Sequence, residues 1–584
     1  MGSFLKNLLA SMLGCFIILG LFFFIFFVSL MAMSFGSSDK YKLKDNTVLT
    51  IKLDGALSDR VEENPLAELL GQAEPALGLD DVLSSIKKAK ENDKIKGIYI
   101  NSGMLMASPA SLKEVRDQLA DFKESGKFIV TYADTYTQGC YYLSSVADKV
   151  ILNPQGHLDL HGYAAAPMFY KGLLDKLGIE MQIFKVGTFK SAVEPFMLDK
   201  MSDANREQVS SYLNDIWSTL VTEVSASRNI SVDKLNQMTD SLATFKEATY
   251  HLENGLVDTL MYESGMKEYL KTLIKVDDAK DVRQASVKNM TTVPFSDKKE
   301  SDNVIALLYA EGSITDGDSR EGITNKRYVR EIEKLKNDEN VKAVVFRVNS
   351  PGGSAYASEQ IWKAISDLKE KKPVVVSMGN YAASGGYYIA CNASKIIAQP
   401  NTLTGSIGIF GMFPNVEGLT KKIGVSFDNV STNKYSDFGN VTRPMRDDEK
   451  AILQNYIERG YDLFLTRCSD GRGIPKDSLD MIAQGRVWTG NQALKIGLVD
   501  ALGDMDMAIE EAAKLAELGD DYAVNSYPKK VDFFEALMSN QKEELTTRAM
   551  KEYLGSDYQF FKTMKEIKDQ NFIQARMPYD LEIR

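Results

Sequence analysis

A chain of 584 residues that is 44% hydrophobic and 26% charged has the balance of a globular protein built from several domain-sized units, which excludes a wholly disordered or fibrous molecule. Its 69 Lys and Arg against 80 Asp and Glu leave a net charge of -11, so no broad positive field exists to hold nucleic acid. The 4 cysteines (Cys15, Cys140, Cys391, Cys468) are scattered without ligand spacing and there are only 3 histidines (His157, His161, His251), which speaks against structural zinc, a disulfide framework or haem.

The first element is apolar. From Leu8 to Phe35 the chain carries no charge, which exceeds the roughly 20 residues needed to cross a hydrocarbon core. The run is longer than the apolar stretch of a cleaved signal peptide, about 7–15 residues. Residues 1–40 are therefore expected to be a membrane anchor, entering the bilayer through residues 8–35. Lys6 before the run and Lys40, Lys42 and Lys44, interleaved with Asp39 and Asp45, after it give no clear orientation.

Next comes a repeat. A constant shift of 246 residues brings Ile95-Lys96-Gly97-Ile98 onto Val341-Lys342-Ala343-Val344 and Phe128-Ile129-Val130 onto Val374-Val375-Val376. The same shift pairs Tyr141-Tyr142-Leu143 with Tyr387-Tyr388-Ile389, and Lys149-Val150-Ile151 with Lys395-Ile396-Ile397. One displacement held over so many strings means two copies of one domain. In each copy short β-branched runs (VLTIKL, KGIYI, KFIVTY; VIALLY, AVVFRV, PVVVSM) alternate with segments of helical period, such as the one from Ser354. That pattern predicts an α/β domain with largely parallel strands. The polar stretch from Val276 to Asn303 reads as a linker with little core of its own, which sets the first copy at 41–295 and the second at 296–530. From about Val531 to residue 584, Phe533, Phe534, Leu537, Met538, Tyr553, Leu554, Phe560 and Phe561 lie among many charges, the pattern of an amphipathic helical tail.

Three strings in this order can carry chemistry. Val186-Gly187-Thr188-Phe189-Lys190-Ser191-Ala192 places a lone lysine among small and apolar residues; it reads as a surface lysine, or as a base if burial lowers its pKa. Asn349-Ser350-Pro351-Gly352-Gly353 ends a strand in a turn whose glycines let backbone N–H groups face outward, as an oxyanion hole requires. Ala382-Ala383-Ser384-Gly385-Gly386 offers Ser384 either as a helix cap or as a nucleophile. The shift of 246 maps Ser384 onto Gln138 and Lys190 onto Ser436. Each copy keeps one member of a Ser/Lys pair, so any dyad must form across the two. His157 and His161 stand four apart, but Pro154 and Gly156 nearby argue against a helical metal site, and Cys140 reads as a small core residue.

NSPGG, AASGGYYIA, TGSIG and GTFKSAVEPF together closely resemble the long, two-half form of the signal peptide peptidase A (protease IV) family, and the resemblance covers the chain after the anchor. It implies two tandem ββα-spiral domains of the Clp protease/crotonase-like fold, Ser384 as nucleophile, Lys190 as general base and Ser406 as a residue that helps hold the lysine amine. Oxyanion N–H groups are implied at Gly353, or at Gly352, with that of Ser384. Phe189 replaces the family's usual tyrosine. The resemblance further implies a serine endopeptidase without metal or organic cofactor, acting on cleaved hydrophobic signal peptides at the periplasmic face of a bacterial inner membrane, as a homotetramer. A crotonase-like acyl-CoA enzyme or a membrane scaffold with a decayed site would share the fold, but neither needs both Ser384 and Lys190.

Overall fold

The computed structural model describes residues 2–35, 41–61, 75–295, 301–530 and 573–577. Residues 296–300, directly after the expected boundary near 295, and most of the expected amphipathic tail lie outside the described residues. Within that tail Ile573–Arg576 is a strand, antiparallel to Gly352–Ser354, rather than part of a helix. Gly2–Phe35 is one helix. Among the described residues no helix is long and apolar enough to cross a membrane, and the side chains of 26–35, the end of the apolar run, lie outside that description.

Two large sheets carry the rest. In the first copy the order is Ala76–Gly78, Thr47–Ser58, Ile95–Met106, Phe128–Tyr136, Lys149–Leu158 and Thr259–Leu260, all parallel, with Arg283–Ser286 added beside Thr47–Ser58. In the second copy Val304–Glu311, Val341–Ser350, Val374–Ala383, Lys395–Ala398 and Ala501–Leu502 follow one another in the same parallel order, and Ala523–Tyr527 flanks Val304–Glu311. Six strands of one sheet repeat in the other; the first adds Ala76–Gly78, and the second adds Leu403–Gly405 and Val487–Thr489 beside Val374–Ala383. The central strands are apolar on both faces, as parallel strands covered on both sides must be. One face packs on the large core of each copy, and the other on a single helix, Met266–Ile274 or Met505–Leu515. Each fully buried Leu, Ile or Val in these layers contributes about 1.5–3 kcal/mol.

The stretch read as a coreless linker does contribute core: Ala285, Val287, Met290 and Val293 are buried against the first sheet. A strand of four residues and a helix of five are too short to leave a readable period. His157 lies on the strand Lys149–Leu158 and His161 follows it, its ring 2.8 Å from Asp159 Oδ1, so the pair is not on a helix.

The copies interlock through a third, smaller sheet. Glu180–Lys185 of the first copy pairs antiparallel with Phe410–Asn415 of the second, six residues in unbroken register from Lys185↔Phe410 to Glu180↔Asn415. The long helix Asp203–Arg228, capped by the Ser202 side chain, also crosses over. Its Asp215 accepts from Thr489 Oγ1 at 2.6 Å and its Ser211 from Gln492 Nε2 at 3.0 Å. Beneath this lies a buried ionic tie. Arg347 donates to Asp59 at 3.0 and 3.1 Å and to Glu114 at 2.7 Å, all three side chains being inaccessible to water. Burial opposes the Arg347 charge, but the two first-copy carboxylates hold its pKa well above the usual value. Burial pushes Glu114 up to about 7 against the pull of Arg347.

Candidate active site

Lys190 and Ser384 meet where the copies interlock. The strand Glu180–Lys185, held on Phe410–Asn415, delivers the following loop into the second copy. There the Phe189 N–H donates to the Gln484 carbonyl at 2.9 Å. A Cβ on Gly485 would lie 2.6 Å from Lys190 Cβ, and one on Gly408 would lie 3.2 Å from its Cδ, so two glycines leave the slot for the lysine stem. Gly485 also has φ +79°, a conformation that favours glycine. Arg486 closes the outside of the loop, its guanidinium 4.6 Å from the Phe189 ring centre and 4.4 Å from that of Trp488.

Lys190 is fully buried. Its Nζ lies 2.8 Å from Ser384 Oγ, 3.0 Å from the Ser406 carbonyl oxygen and 3.1 Å from Ser406 Oγ. Burial holds its pKa well below the ordinary 10.5, because an ammonium ion loses its hydration there. The surface-lysine reading of the sequence therefore fails. So does the cap reading of Ser384: it stands before the helix Gly385–Ala390, yet its side chain caps no helical N–H.

Both serines are strained. Ser384 has φ 55°, ψ -114° and Ser406 has φ 50°, in the region that a residue with a Cβ avoids, at about 1–3 kcal/mol each. The Ser384 N–H donates to the Gly405 carbonyl at 2.8 Å and the Ser406 N–H to the Arg486 carbonyl at 2.7 Å, bonds that hold the turns in place. In the glycine turn, the Gly352 N–H donates to Ser350 Oγ at 3.1 Å. The Ser384 and Gly352 amides, two of the expected oxyanion donors, are thus engaged within the chain, and Gly353 pairs with Ile314 on one side and Ala575 on the other.

Sequence reasoning missed the residues that hold the lysine loop. Gln208 Nε2 donates to the Phe189 carbonyl at 3.1 Å and to Ser191 Oγ at 2.8 Å, while its Oε1 accepts from the Val487 N–H of the second copy at 3.1 Å. Glu194, read from the sequence as loop structure without chemistry, is buried and accepts from Ser202 Oγ at 2.5 Å and Asn205 Nδ2 at 2.9 Å. The only signal for them was three polar residues, Ser202, Asn205 and Gln208, at a helical spacing of three. Cys140 is buried, its thiol pKa raised by burial.

A buried lysine against a strained serine, beside a glycine turn, is the equipment of a hydrolase that attacks with serine. Residues 121–277 and 366–519 match the model of Peptidase family S49, and residues 296–404 match that of Clp protease. The chain is 37% identical to "Protease 4" of Haemophilus influenzae, over 93% of this chain and 92% of that one. It is 39% identical to "Protease 4" of Salmonella typhi, over 80% of this chain and 74% of that one. Among solved structures, a point mutant of ClpP1 from Listeria monocytogenes aligns with 35% of this chain and 94% of its own at 16% identity, with a TM-score of 0.24, too low to compare architectures. The chain belongs to peptidase family S49, with an α/β, Clp-protease-like fold, and is a serine protease.

Proposed function

We propose that the protein is an endopeptidase in which Ser384 attacks and Lys190 is the general base, the two copies supplying one residue each. The observation that carries this reading is the 2.8 Å contact between Ser384 Oγ and a lysine with no exposure to water. A neutral amine has two N–H groups and one lone pair. At Lys190 the two N–H groups have the Ser406 carbonyl and Ser406 Oγ as acceptors, and the lone pair is left for the Ser384 hydroxyl proton. Lys190 takes that proton as Ser384 Oγ attacks a peptide carbonyl, then passes it to the leaving amine. It next deprotonates the water that hydrolyses the acyl-enzyme. The Gly353 N–H would face the developing oxyanion, an interaction worth about 2.7–4 kcal/mol per donor.

The substrate side is apolar. Val209, Tyr212 and Ile216 of the first copy and Ala383, Leu403 and Val487 of the second form one buried cluster that includes the neighbour of Ser384. Apolar surroundings of this kind beside Ser384 suit hydrophobic peptides, and cleaved signal peptides left in a membrane are the class this reading favours. The uncharged run of residues 8–35, helical throughout, would anchor the enzyme beside them at the periplasmic face of a bacterial inner membrane. Assembly as a homotetramer belongs to the same reading, and sedimentation of the detergent-solubilised chain tests it. Cleavage of a fluorogenic hydrophobic peptide, lost in both Ser384→Ala and Lys190→Ala, tests the dyad. Undiminished cleavage in either variant would contradict it.

A further inference from the structure

Two of the cysteines that stand far apart in the sequence meet in the fold. Cys391 closes the short helix Gly385–Ala390, which starts directly after Ser384, and Cys468 lies near the end of the long helix Asp447–Arg472. Both are free thiols without exposure in one core, and they are in hydrogen-bond contact with each other. The helices are fitted closely around them. About one turn earlier on each, the rings of Tyr388 and Phe464 lie 4.4 Å apart between centres. Three residues after Cys468, a Cβ on Gly471 would fall 2.5 Å from the Cys391 carbonyl oxygen, so a glycine lets the long helix pass this near. Glu359 clasps both helices, accepting from Tyr388 Oη and from Arg467 Nη2 at 2.6 Å each.

The long helix also supports the other member of the dyad. Its Tyr461 Oη accepts from the Gln484 N–H at 3.2 Å, and the Gln484 carbonyl holds the Phe189 N–H beside Lys190. Asp447–Arg472 is therefore a strut between the serine's helix and the lysine's loop. In the first copy the shift of 246 places Ser145 where Cys391 stands, and there Arg116 Nη1 donates to Ser145 Oγ at 2.8 Å. Hydrogen bonds fasten that helix end; thiols occupy this one.

We propose that Cys391 and Cys468 are a disulfide site, which closes in an oxidising compartment and ties the helix of Ser384 to the strut behind the Lys190 loop. The reaction is thiol–disulfide exchange with a small disulfide such as oxidised glutathione. One cysteine attacks it, giving a mixed disulfide and one small thiol; the second cysteine then displaces the other small thiol. The Sγ–Sγ bond forms, the small disulfide's S–S bond breaks, and two protons and two electrons leave with the two small thiols. Attack needs a thiolate, and burial opposes one in the folded protein. The bond therefore forms as the chain folds and is shielded from reductants afterwards.

The inference takes its oxidising setting from the periplasmic placement proposed above, whereas the meeting of the two thiols does not depend on it. Full-length chain from cells is quenched in acid, unfolded and alkylated, and its labels are counted by mass spectrometry. Two labels are expected instead of four, with the peptides of Cys391 and Cys468 joined. A second sample is purified in detergent, reduced in mild urea and incubated with oxidised glutathione as the urea is removed; the same joined peptides are expected. Four labels in both samples, or a pair other than Cys391 with Cys468, would overturn the proposal. Four labels in the chain from cells, with joined peptides in the second sample, would uphold the site and overturn the periplasmic placement alone. The oxidised chain is expected to melt several degrees above the same chain reduced, a difference that Cys468→Ala abolishes. Equal melting of the two forms would overturn the tie. Neither readout needs catalysis, so the peptidase reading stands or falls separately.

Discussion

The two copies repeat one sheet, yet differ at the same point of it. At the end of the strand Phe128–Tyr136, Thr137 caps the following helix by accepting from the Cys140 N–H, and Gln138 Oε1 accepts from the His161 and Gly162 amides. Every group there has an ordinary structural partner. At the end of Val374–Ala383, Ser384 leaves its helix uncapped, takes a strained backbone and turns its hydroxyl to a lysine from the other copy. Where the second copy might have placed a lysine of its own it has Ser436, exposed and bonded only within its own loop. One site is ordinary capped structure while the other carries strain, which persists because neighbours fix it: the carbonyls of Gly405 and Arg486 and the glycines at 408 and 485.

The contrast can be broken most severely at the dyad. Ser384→Ala and Lys190→Ala should each lower kcat by at least about 10⁴-fold, because residues that act as one unit fail together. The double variant should lose little more than either single one, as a double-mutant cycle of peptide hydrolysis would measure. Gly485→Ala attacks the comparison through the backbone. Its Cβ would overlap the Lys190 stem, and the resulting displacement of about 1 Å should cost roughly 10²-fold in kcat, with the fold checked by circular dichroism. Arg347→Met tests the tie between copies. Leaving Asp59 and Glu114 buried without their cation should destabilise the protein by about 3–5 kcal/mol, seen in urea unfolding.

A smaller effect separates function from stability. Lys190 has a folded pKa below its unfolded value of 10.5, so between those two values the unfolded chain binds more protons and stability rises with pH. Lys190→Met removes that dependence and should raise the melting temperature near neutral pH while abolishing activity. A fall in melting temperature would mean that the buried amine stabilises the site after all. The smallest effect expected is none: Gln138→Ser in the Ser384→Ala protein should restore no cleavage, since neither strain nor lysine awaits it.

Much of this was legible in the sequence. The shift of 246 residues exposed both copies and the division of Ser384 from Lys190, because strands in a repeated sheet keep their spacing. What stayed hidden depends on contacts between distant segments. The pairing of Glu180–Lys185 with Phe410–Asn415, the Arg347 tie and the tail strand at Gly352–Ser354 join residues whose local pattern carries no trace of the partner. Gln208 looked like any polar residue on a helix, and Ile573–Met577 was absorbed into a helical pattern set by the aromatic residues before it. Ser384 and Lys190 each read more readily as cap and surface until the repeat showed them to be complementary.

The central claim, a neutral lysine from one copy serving a serine from the other, is tested most directly by the pH dependence of kcat/KM from about pH 6 to 10, a range that brackets a lysine pKa lowered by burial. The measurement compares the intact protein with Lys190→Ala and Ser384→Ala. The account predicts activity that rises with pH through a single apparent pKa well below 10.5 and that vanishes in both variants. A Lys190→Ala protein that keeps the parent's activity and profile would contradict it.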